Sequence, residues 1–105
     1  MNETNRARPA YLIANYNVTN QEGYDAYFAS VGPTILSRRG EILVAGPCGK
    51  PVEGTPAEMT VVLRFPSMDA LQDWYDSPEY REIINLRVDN TEGHMVFAEA
   101  FAMPG

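Results

Sequence analysis

The sequence has 105 residues, of which 45% are hydrophobic and 21% charged, and this length and composition predict one folded globular domain rather than a disordered chain. The formal net charge of −6 disfavours nucleic acids and anionic membrane surfaces as partners, because both are themselves negative. No apolar run reaches the ~20 residues that span a bilayer. A single cysteine, Cys48, excludes an intrachain disulfide, and we therefore predict a cytoplasmic protein.

The first half of the domain begins with a strand. Residues 1–9 form a polar N-terminal segment that lacks the apolar stretch of a secretion signal, and residues 10–102 are predicted to be a single domain. Ala10–Val18 is rich in aromatic and β-branched residues and predicts a strand with apolar side chains on both faces. Thr19 and Glu22 have the spacing of a capping box, which predicts the start of a helix.

This first helix has an amphipathic pattern. Its apolar residues recur at steps of three and four: Tyr24, Tyr27, Phe28, Val31 and Ile35. Pro33 is predicted to bend the helix near Gly32, and Gly40 is predicted to end it in the left-handed conformation.

Two further strands follow, at Glu41–Gly46 and Met59–Phe65, separated by an irregular arm from Pro47 to Pro56 that includes Cys48. Ser67 is predicted to cap a second helix, and Ser77 followed by Pro78 is predicted to start a new one. The inner face of this last helix is predicted to hold Tyr80, Ile83, Ile84, Arg87 and Val88. Gly93 is expected to precede a final strand, His94–Phe101.

The order of elements predicts an α+β domain of the ferredoxin-like βαββαβ type, with a four-stranded antiparallel sheet and helices on one face. Helices cover only one face of such a sheet, but the strands have apolar residues on both, for example Leu12 on one face and Ile13 on the other. An exposed apolar sheet face is unusual in a soluble monomer, so we predict a homodimer that pairs as a dimeric α/β barrel. Coverage by loops and the terminal segments is the alternative.

Several motifs make the sequence resemble a known family. These are the Phe65-Pro66-Ser67 turn, the run Trp74 to Tyr80 (Trp-Tyr-Asp-Ser-Pro-Glu-Tyr), Arg87, the pair Tyr24 and Tyr27, and the Glu53-Gly54 step. The sequence is similar from Tyr11 to Phe101 to a bacterial family of unknown function, domain of unknown function 1330, in the dimeric α/β-barrel superfamily. The resemblance implies a βαββαβ protomer and a two-subunit barrel. Arg64 and His94 stand where family members often have an acid, and an Asp or Asn, respectively.

The predicted ligand site is the cleft between the sheet and the helices, lined by Tyr16, Tyr27, Trp74 and Tyr80. Binding pockets are mostly apolar with a few polar groups, which fits these residues. Packing in the core explains the same side chains without any ligand, because a buried phenol or indole only needs a hydrogen-bond partner.

Two arginines and the single histidine are the remaining candidates. Arg87 is predicted on the inner face of a helix, where a charged side chain needs a partner, and an acidic ligand is as good a partner as Asp73, Asp76 or Glu99. Arg64 is a second candidate for holding a carboxylate. His94 is the only side chain with an ordinary pKa near neutrality and is the candidate general base, although a surface turn explains its position equally well.

The residue types and motifs present in the sequence argue against several kinds of site. One cysteine and one histidine do not make a clustered zinc site, and the sequence contains neither a phosphate-binding loop nor a dinucleotide fingerprint, so we expect no metal and no cofactor. Two hypotheses remain. The first is a cofactor-independent isomerase or oxygenase acting on an aromatic or acidic metabolite, as the resemblance to the superfamily implies. The second is a non-catalytic dimer that binds a ligand or another protein.

Overall fold

A computed structural model describes residues 8–47 and 49–102, so the predicted loop position of Cys48 lies outside the described residues. The elements are β1 (Ala10–Val18), α1 (Gln21–Leu36), β2 (Glu41–Pro47), β3 (Met59–Phe65), α2 (Met68–Tyr75), α3 (Pro78–Arg81), α4 (Ile84–Val88) and β4 (Thr91–Glu99). The strands pair antiparallel in the order β2-β3-β1-β4. The predicted ferredoxin-like α+β fold is confirmed. The irregular arm is also confirmed for residues 49–56, which contain neither helix nor strand, but Pro47 is part of β2, where it pairs with Met59.

The central strand β1 shows how differently the two faces of the sheet are covered. Leu12 lies between Leu63 and Phe97 on the helix side and is 1% exposed. Ile13 lies between Val62 and Val96 on the opposite side and is 42% exposed. Successive side chains of a strand point to opposite faces, so the helices bury one face only. We call the other side the open face; its apolar residues are Ile13, Val44, Val62 and Val96.

Aromatic packing joins the helices to the buried face. Trp74 and Tyr80 are both fully buried, with ring centroids 4.2 Å apart, and Phe65 lies 5.5 Å from Trp74. The indole N–H of Trp74 donates to Thr34 Oγ1 at 3.0 Å, which gives this buried polar atom its partner. α1, α2 and α3 are therefore held together around one indole ring.

The predicted helix starts are partly confirmed. Ser67 accepts a hydrogen bond from the backbone N–H of Ala70, and Ser77 accepts one from that of Tyr80, as expected for N-caps. The capping box is wrong. α1 begins after Asn20, with no capping by a side chain. The backbone N–H groups of Thr19 and Asn20 both donate to the carbonyl of Asn90, which lies between α4 and β4. This contact, and not a capping box, holds the chain at the start of α1.

The end of α1 also differs from the prediction. The left-handed residue is Arg39, with φ of 69°, and not Gly40. The N–H of Gly40 donates to the carbonyl of Ile35 and that of Arg39 to Leu36, which is the Schellman pattern of bonds. A Cβ on Gly40 would lie 2.6 Å from side-chain atoms of Ile35 and Phe65, so the glycine is needed for close packing. Pro33 lies inside α1, and the helix continues to Leu36.

The last helix and the last strand have different bounds from those predicted. The single predicted helix after Pro78 is two short helices separated by a turn at Glu82 and Ile83, where φ of Ile83 is −115° and ψ is −6°. Arg87 is buried as expected, but Val88 is 50% exposed. Gly93 lies within β4 and does not precede it, since the strand already pairs with β1 at Thr91. Phe101 lies beyond the end of β4 and is 80% exposed.

Candidate functional site

Two cavities lie on the helix side of the sheet. The larger, which we call the β4 cleft, has a volume of about 630 Å³ and opens between α2, α4 and β4. Its lining is mixed aromatic and polar: Tyr16, Gln72, Tyr75, Arg87, Val88, Thr91, Gly93, His94, Met95 and Phe97. This volume is in the range of small-molecule sites.

The smaller cavity, which we call the α1 chamber, has a volume of about 140 Å³ and lies between α1 and the sheet. Apart from the hydroxyls of three tyrosines and the side chain of Arg87, its lining is apolar, with Leu12, Val31, Gly32, Ala45 and Trp74 among its residues. Phe28 and Ile42 line it and are 49% and 44% exposed, so the mouth of the chamber lies between α1 and β2.

The two cavities meet at a shared wall. Tyr16, Arg87 and Met95 line both of them. Among the described residues, no Asp or Glu lines either cavity, and Arg87 is the single Lys or Arg that does. A protein with a formal net charge of −6 therefore has a cationic group, and no anionic one, at the wall between its cavities.

The Arg87 guanidinium is buried, with 9% of the residue exposed, and its Nε–H donates to the hydroxyl of Tyr80 at 3.2 Å. Burial lowers the pKa of Arg87, but interaction with Tyr80, and then with Tyr27 and Tyr75, more than offsets this, and the net shift of the pKa is upward. Arg87 is therefore cationic at neutral pH.

The three acids predicted as internal partners of Arg87, which are Asp73, Asp76 and Glu99, form no ion pair with it. Asp76 forms an ion pair with Arg81 at 3.1 Å, and Glu99 forms one with Arg8 at 3.1 Å. Within residues 8–47 and 49–102, Arg87 makes no ion pair with any carboxylate. A buried guanidinium without an acid is an exception to the usual pairing of buried charges.

Two tyrosine pairs surround Arg87. The hydroxyls of Tyr16 and Tyr24 lie 2.7 Å apart, and those of Tyr27 and Tyr80 lie 2.9 Å apart. Each pair has two phenolic hydrogens but uses one of them between its own oxygens, and Tyr80 also accepts from Arg87. One hydrogen of each pair has no acceptor among the hydrogen bonds of the described residues, so each pair has one hydroxyl hydrogen available to a ligand.

The tyrosines keep their protons at neutral pH. Burial raises the pKa of Tyr16 and Tyr27 far above the ordinary value, although Arg87 pulls in the opposite direction, and burial also raises the pKa of Tyr24. These phenols are therefore hydrogen-bond donors, not bases. Together with Arg87 they form a site that favours negative charge on an oxygen atom of a ligand.

The structure brings most of the predicted site residues together. Tyr16, Tyr27, Trp74 and Arg87 all line the α1 chamber. Tyr80 is fully buried behind the lining of the chamber, and its hydroxyl forms hydrogen bonds with Tyr27 and Arg87.

Arg64 and His94 lie apart from this group. Arg64 pairs with Tyr11 on the open face and approaches Glu41 with an N···O distance of 4.0 Å. His94 pairs with Asn15 on the open face and also forms part of the rim of the β4 cleft. It lines a surface depression of about 520 Å³ beside arm residues Glu53 to Ala57 as well.

The sequence interpretation missed several residues of the site. Tyr24 was predicted only as part of an apolar stripe, but it holds the hydroxyl of Tyr16. Tyr75 and Phe97 form an edge-to-face pair at 5.4 Å in the wall of the β4 cleft. The signal for Tyr24 was available, since it lies three residues before Tyr27 and therefore on the same face of the helix. The contact between Tyr75 and Phe97 joins distant parts of the chain and leaves no local signal.

Metal ligands and membrane helices were also sought in the part of the chain that the structure describes. It contains no group of three or more His, Cys, Asp or Glu side chains that could hold a metal ion. None of the helices in residues 8–47 and 49–102 is both long and apolar enough to cross a membrane.

The topology and the cavities define a ferredoxin-like α+β protein with a ligand-sized cleft on the helix side of its sheet. The chain belongs to the family described as Domain of unknown function (DUF1330), which it matches over residues 9–101. This confirms the resemblance seen in the sequence. No curated protein matches the chain.

Solved structures share the fold at low sequence identity. A protein of unknown function from Rhodopseudomonas palustris is 17% identical, with a TM-score of 0.75 over 93% of this chain and 86% of that one. A dimeric ferredoxin-like protein of unknown function from Thermobifida fusca is 12% identical, with a TM-score of 0.68 over 90% and 93%. SnoaB, a cofactor-independent oxygenase from Streptomyces nogalater, is 10% identical, with a TM-score of 0.63 over 92% and 97%.

Proposed function

We propose that this protein is a homodimer that binds a small acidic or aromatic metabolite on the helix side of each sheet, with Arg87 as the anion-binding residue. The observation that carries the proposal is the buried guanidinium of Arg87, which lies in the wall of both cavities and has no carboxylate partner within the described residues. A ligand carboxylate would provide that partner through a charge-assisted, bidentate contact.

The surrounding groups support an anionic oxygen over a cation. The phenols of Tyr16 and Tyr27 remain protonated and line the α1 chamber together with Arg87, and no acid lines this chamber among the described residues. A cationic ligand would meet a positive charge and spare donors, whereas a carboxylate or enolate oxygen accepts from both. Aromatic side chains of the β4 cleft, Tyr75 and Phe97, provide apolar surface for the rest of the ligand.

A second copy of the chain is the proposed partner at the open face. Ile13, Val44 and Val96 are 42%, 46% and 53% exposed there, and the open face is continuous across the central strands. Such a patch is more extensive than soluble monomers usually expose. Two structures of the same fold are described as dimeric, those from Thermobifida fusca and Bacteroides fragilis. This supports the dimeric α/β barrel of the sequence prediction.

Catalysis without a cofactor is the first candidate activity of this site. An isomerase or oxygenase of this kind requires negative charge to be stabilised on a substrate oxygen while a proton leaves a neighbouring atom. Arg87 and the tyrosines provide the first requirement. His94, at the rim of the β4 cleft, is the proposed proton acceptor. The fold shared with the cofactor-independent oxygenase SnoaB favours this candidate.

Binding without catalysis is the second candidate. Its supporting observation is the position of His94, which pairs with Asn15 on the open face while Arg87 lies on the helix side. Within a protomer, the buried phenols keep their protons, so the helix side has donors but no base among Tyr16, Tyr24 and Tyr27. A carrier or sensor of an acidic metabolite requires no base.

Thermal shift against a panel of small carboxylates tests the anion site. We expect the melting temperature of the wild type to rise with ligand concentration, and we expect Arg87→Met to abolish the shift. Lys50→Met removes the same charge from the exposed arm and serves as the control. Arg64→Met tests the other predicted arginine. A shift that survives in Arg87→Met but disappears in Arg64→Met would contradict the proposal and move the site to the open face.

A second measurement separates the two activities. Once a carboxylate binds, its α-hydrogens are followed by NMR in deuterium oxide with wild type and His94→Ala. Exchange or turnover that depends on His94 supports the enzyme, whereas a ligand that binds and stays unchanged supports the non-catalytic dimer. Exchange that is equal in both proteins would refute the role of His94.

A further inference from the structure

The α1 chamber has the size of one aromatic ring. Its volume of about 140 Å³ is close to the ~150 Å³ at which a dry cavity lined by aliphatic and aromatic side chains accepts a benzene molecule. Two fused rings exceed this volume. The lining away from Arg87 and the tyrosine hydroxyls is apolar, with Leu12, Val31, Leu63 and Trp74, which favours a hydrocarbon group over a hydrated one.

Arg87, the one Lys or Arg that lines the chamber among residues 8–47 and 49–102, lies on the wall that the chamber shares with the β4 cleft. Arg87 and Tyr16 line both cavities, so an anionic group on this wall is accessible from either side. A ring placed in the chamber therefore has donors for a carboxylate at one end and apolar side chains around the rest. The β4 cleft, with Gln72 and Thr91 in its lining, has room for further polar substituents.

We propose that the ligand of Arg87 is a carboxylate that carries a single six-membered ring, with the ring in the α1 chamber and the carboxylate on Arg87 and Tyr16. This inference rests on the proposed function and narrows its ligand class to monocyclic acids. It also assigns the role of size selection to the residues that close the chamber on the side of α1.

Gly32 is the position at which the size of the chamber can be tested. It lies in α1 and lines the chamber, and a Cβ added at this position would have no heavy atom within 4 Å apart from its chain neighbours and the backbone of the helix. A larger side chain here is expected to reduce the space in the chamber. Ala29 lies on the same helix, is exposed and lines neither cavity, so a valine introduced there is the control for a valine in α1 that lies outside the chamber.

The experiment uses three probes, acetate, phenylacetate and 1-naphthylacetate, with wild type, Gly32→Val, Ala29→Val and Arg87→Met. Binding is followed by the fluorescence of Trp74, the single tryptophan, which lines the chamber, and by isothermal titration at neutral pH. We expect wild type and Ala29→Val to bind phenylacetate at least tenfold more tightly than the other two acids. Gly32→Val is expected to weaken phenylacetate at least tenfold and to leave acetate unchanged. Gly32→Ala, a smaller change that favours the helix, is expected to give an intermediate loss.

The variants distinguish failure of this inference from failure of the proposed function. Equal binding of phenylacetate by wild type and Gly32→Val, or preference for the naphthyl acid, would overturn the ring position. If Arg87→Met failed to bind all three acids in that case, the assignment of Arg87 as the anion-binding residue would be retained. Conversely, phenylacetate binding that responds to Gly32→Val but not to Arg87→Met would refute the anion site and, with it, the monocyclic acid as the ligand.

Discussion

Replacing Arg87 by methionine should stabilise the unliganded protein. Removing a guanidinium from water costs several kcal/mol in a protein interior, and Arg87 is 9% exposed. One hydrogen bond from a charged donor, to Tyr80 at 3.2 Å, returns about 1.5–3 kcal/mol. No carboxylate lies among its described contacts, and the phenol of Tyr27, one of the groups that raise its pKa, is uncharged at neutral pH, so part of this cost is not offset.

The size of the effect follows from what methionine leaves behind. Its unbranched chain fills the space of the Arg87 stem, and Tyr80 keeps its hydrogen bond to Tyr27 at 2.9 Å, so no buried polar atom loses its last partner. We expect the free energy of unfolding to rise by about 1–3 kcal/mol, by comparison with the gain of about 1–4 kcal/mol that replacing a buried ion pair with apolar residues of similar volume can give. For a domain of this length, each kcal/mol corresponds to about 4–8 °C in melting temperature.

The assay is urea denaturation at neutral pH and a fixed protomer concentration, followed by the fluorescence of Trp74, because the stability of a dimer depends on concentration. Lys50→Met, on the exposed arm, should change the free energy by less than about 0.5 kcal/mol. A loss of stability above 1 kcal/mol in Arg87→Met would refute the reasoning, since it would mean that the guanidinium is already compensated in the folded protein.

Three further predictions concern packing, pH and assembly. Gly93→Ala should cost about 1–3 kcal/mol, because its Cβ would lie 2.4 Å from the carbonyl oxygen of Asn15, whereas Gly46→Ala has open space and should be nearly neutral in the same urea assay. The free energy of unfolding should be constant up to about pH 10 and fall above it, because phenols of the unfolded chain ionise near 10 whereas burial raises the pKa of Tyr27 in the folded protein. Tyr27→Phe should reduce the slope of this fall by about 1.4 kcal/mol per pH unit. An unchanged slope would contradict the prediction. Val96→Lys on the open face should convert the proposed dimer to a monomer in light scattering, whereas Val52→Lys in the arm should leave it dimeric. A Val96→Lys protein that stays dimeric would place the interface elsewhere.

The sequence predicted those parts of the fold that depend on local patterns. Met59–Phe65 has the predicted bounds, and Ser67 and Ser77 cap their helices, because alternation and capping depend on neighbouring residues. The prediction of local structure was wrong where contacts with a distant segment of the chain determine it. Asn90 holds the start of α1 in place of the capping box, and the backbone of β1 requires Gly93 inside β4.

The same division applies to the candidate site. Tyr16, Tyr27, Trp74 and Arg87 were selected from the sequence and lie around one chamber. Their hydrogen-bond pairing could not be predicted, since Tyr27 and Tyr80 are 53 residues apart and meet only when α1 and α3 pack. The separation of His94 and Arg64 from this group follows from strand register, which places residues of one parity on the open face.

Neighbouring positions of β4 serve different surfaces, with Met95 at the shared wall of the cavities and Val96 on the open face. Inserting or deleting one residue in this strand would exchange the two sets of side chains at once. Length changes among relatives should therefore be excluded from β4 and concentrated in the exposed arm between Gly49 and Glu58, where no strand pairing depends on them. The length of this arm can therefore change by insertion or deletion, whereas the proposed ligand preference and self-association are expected to change by point substitution.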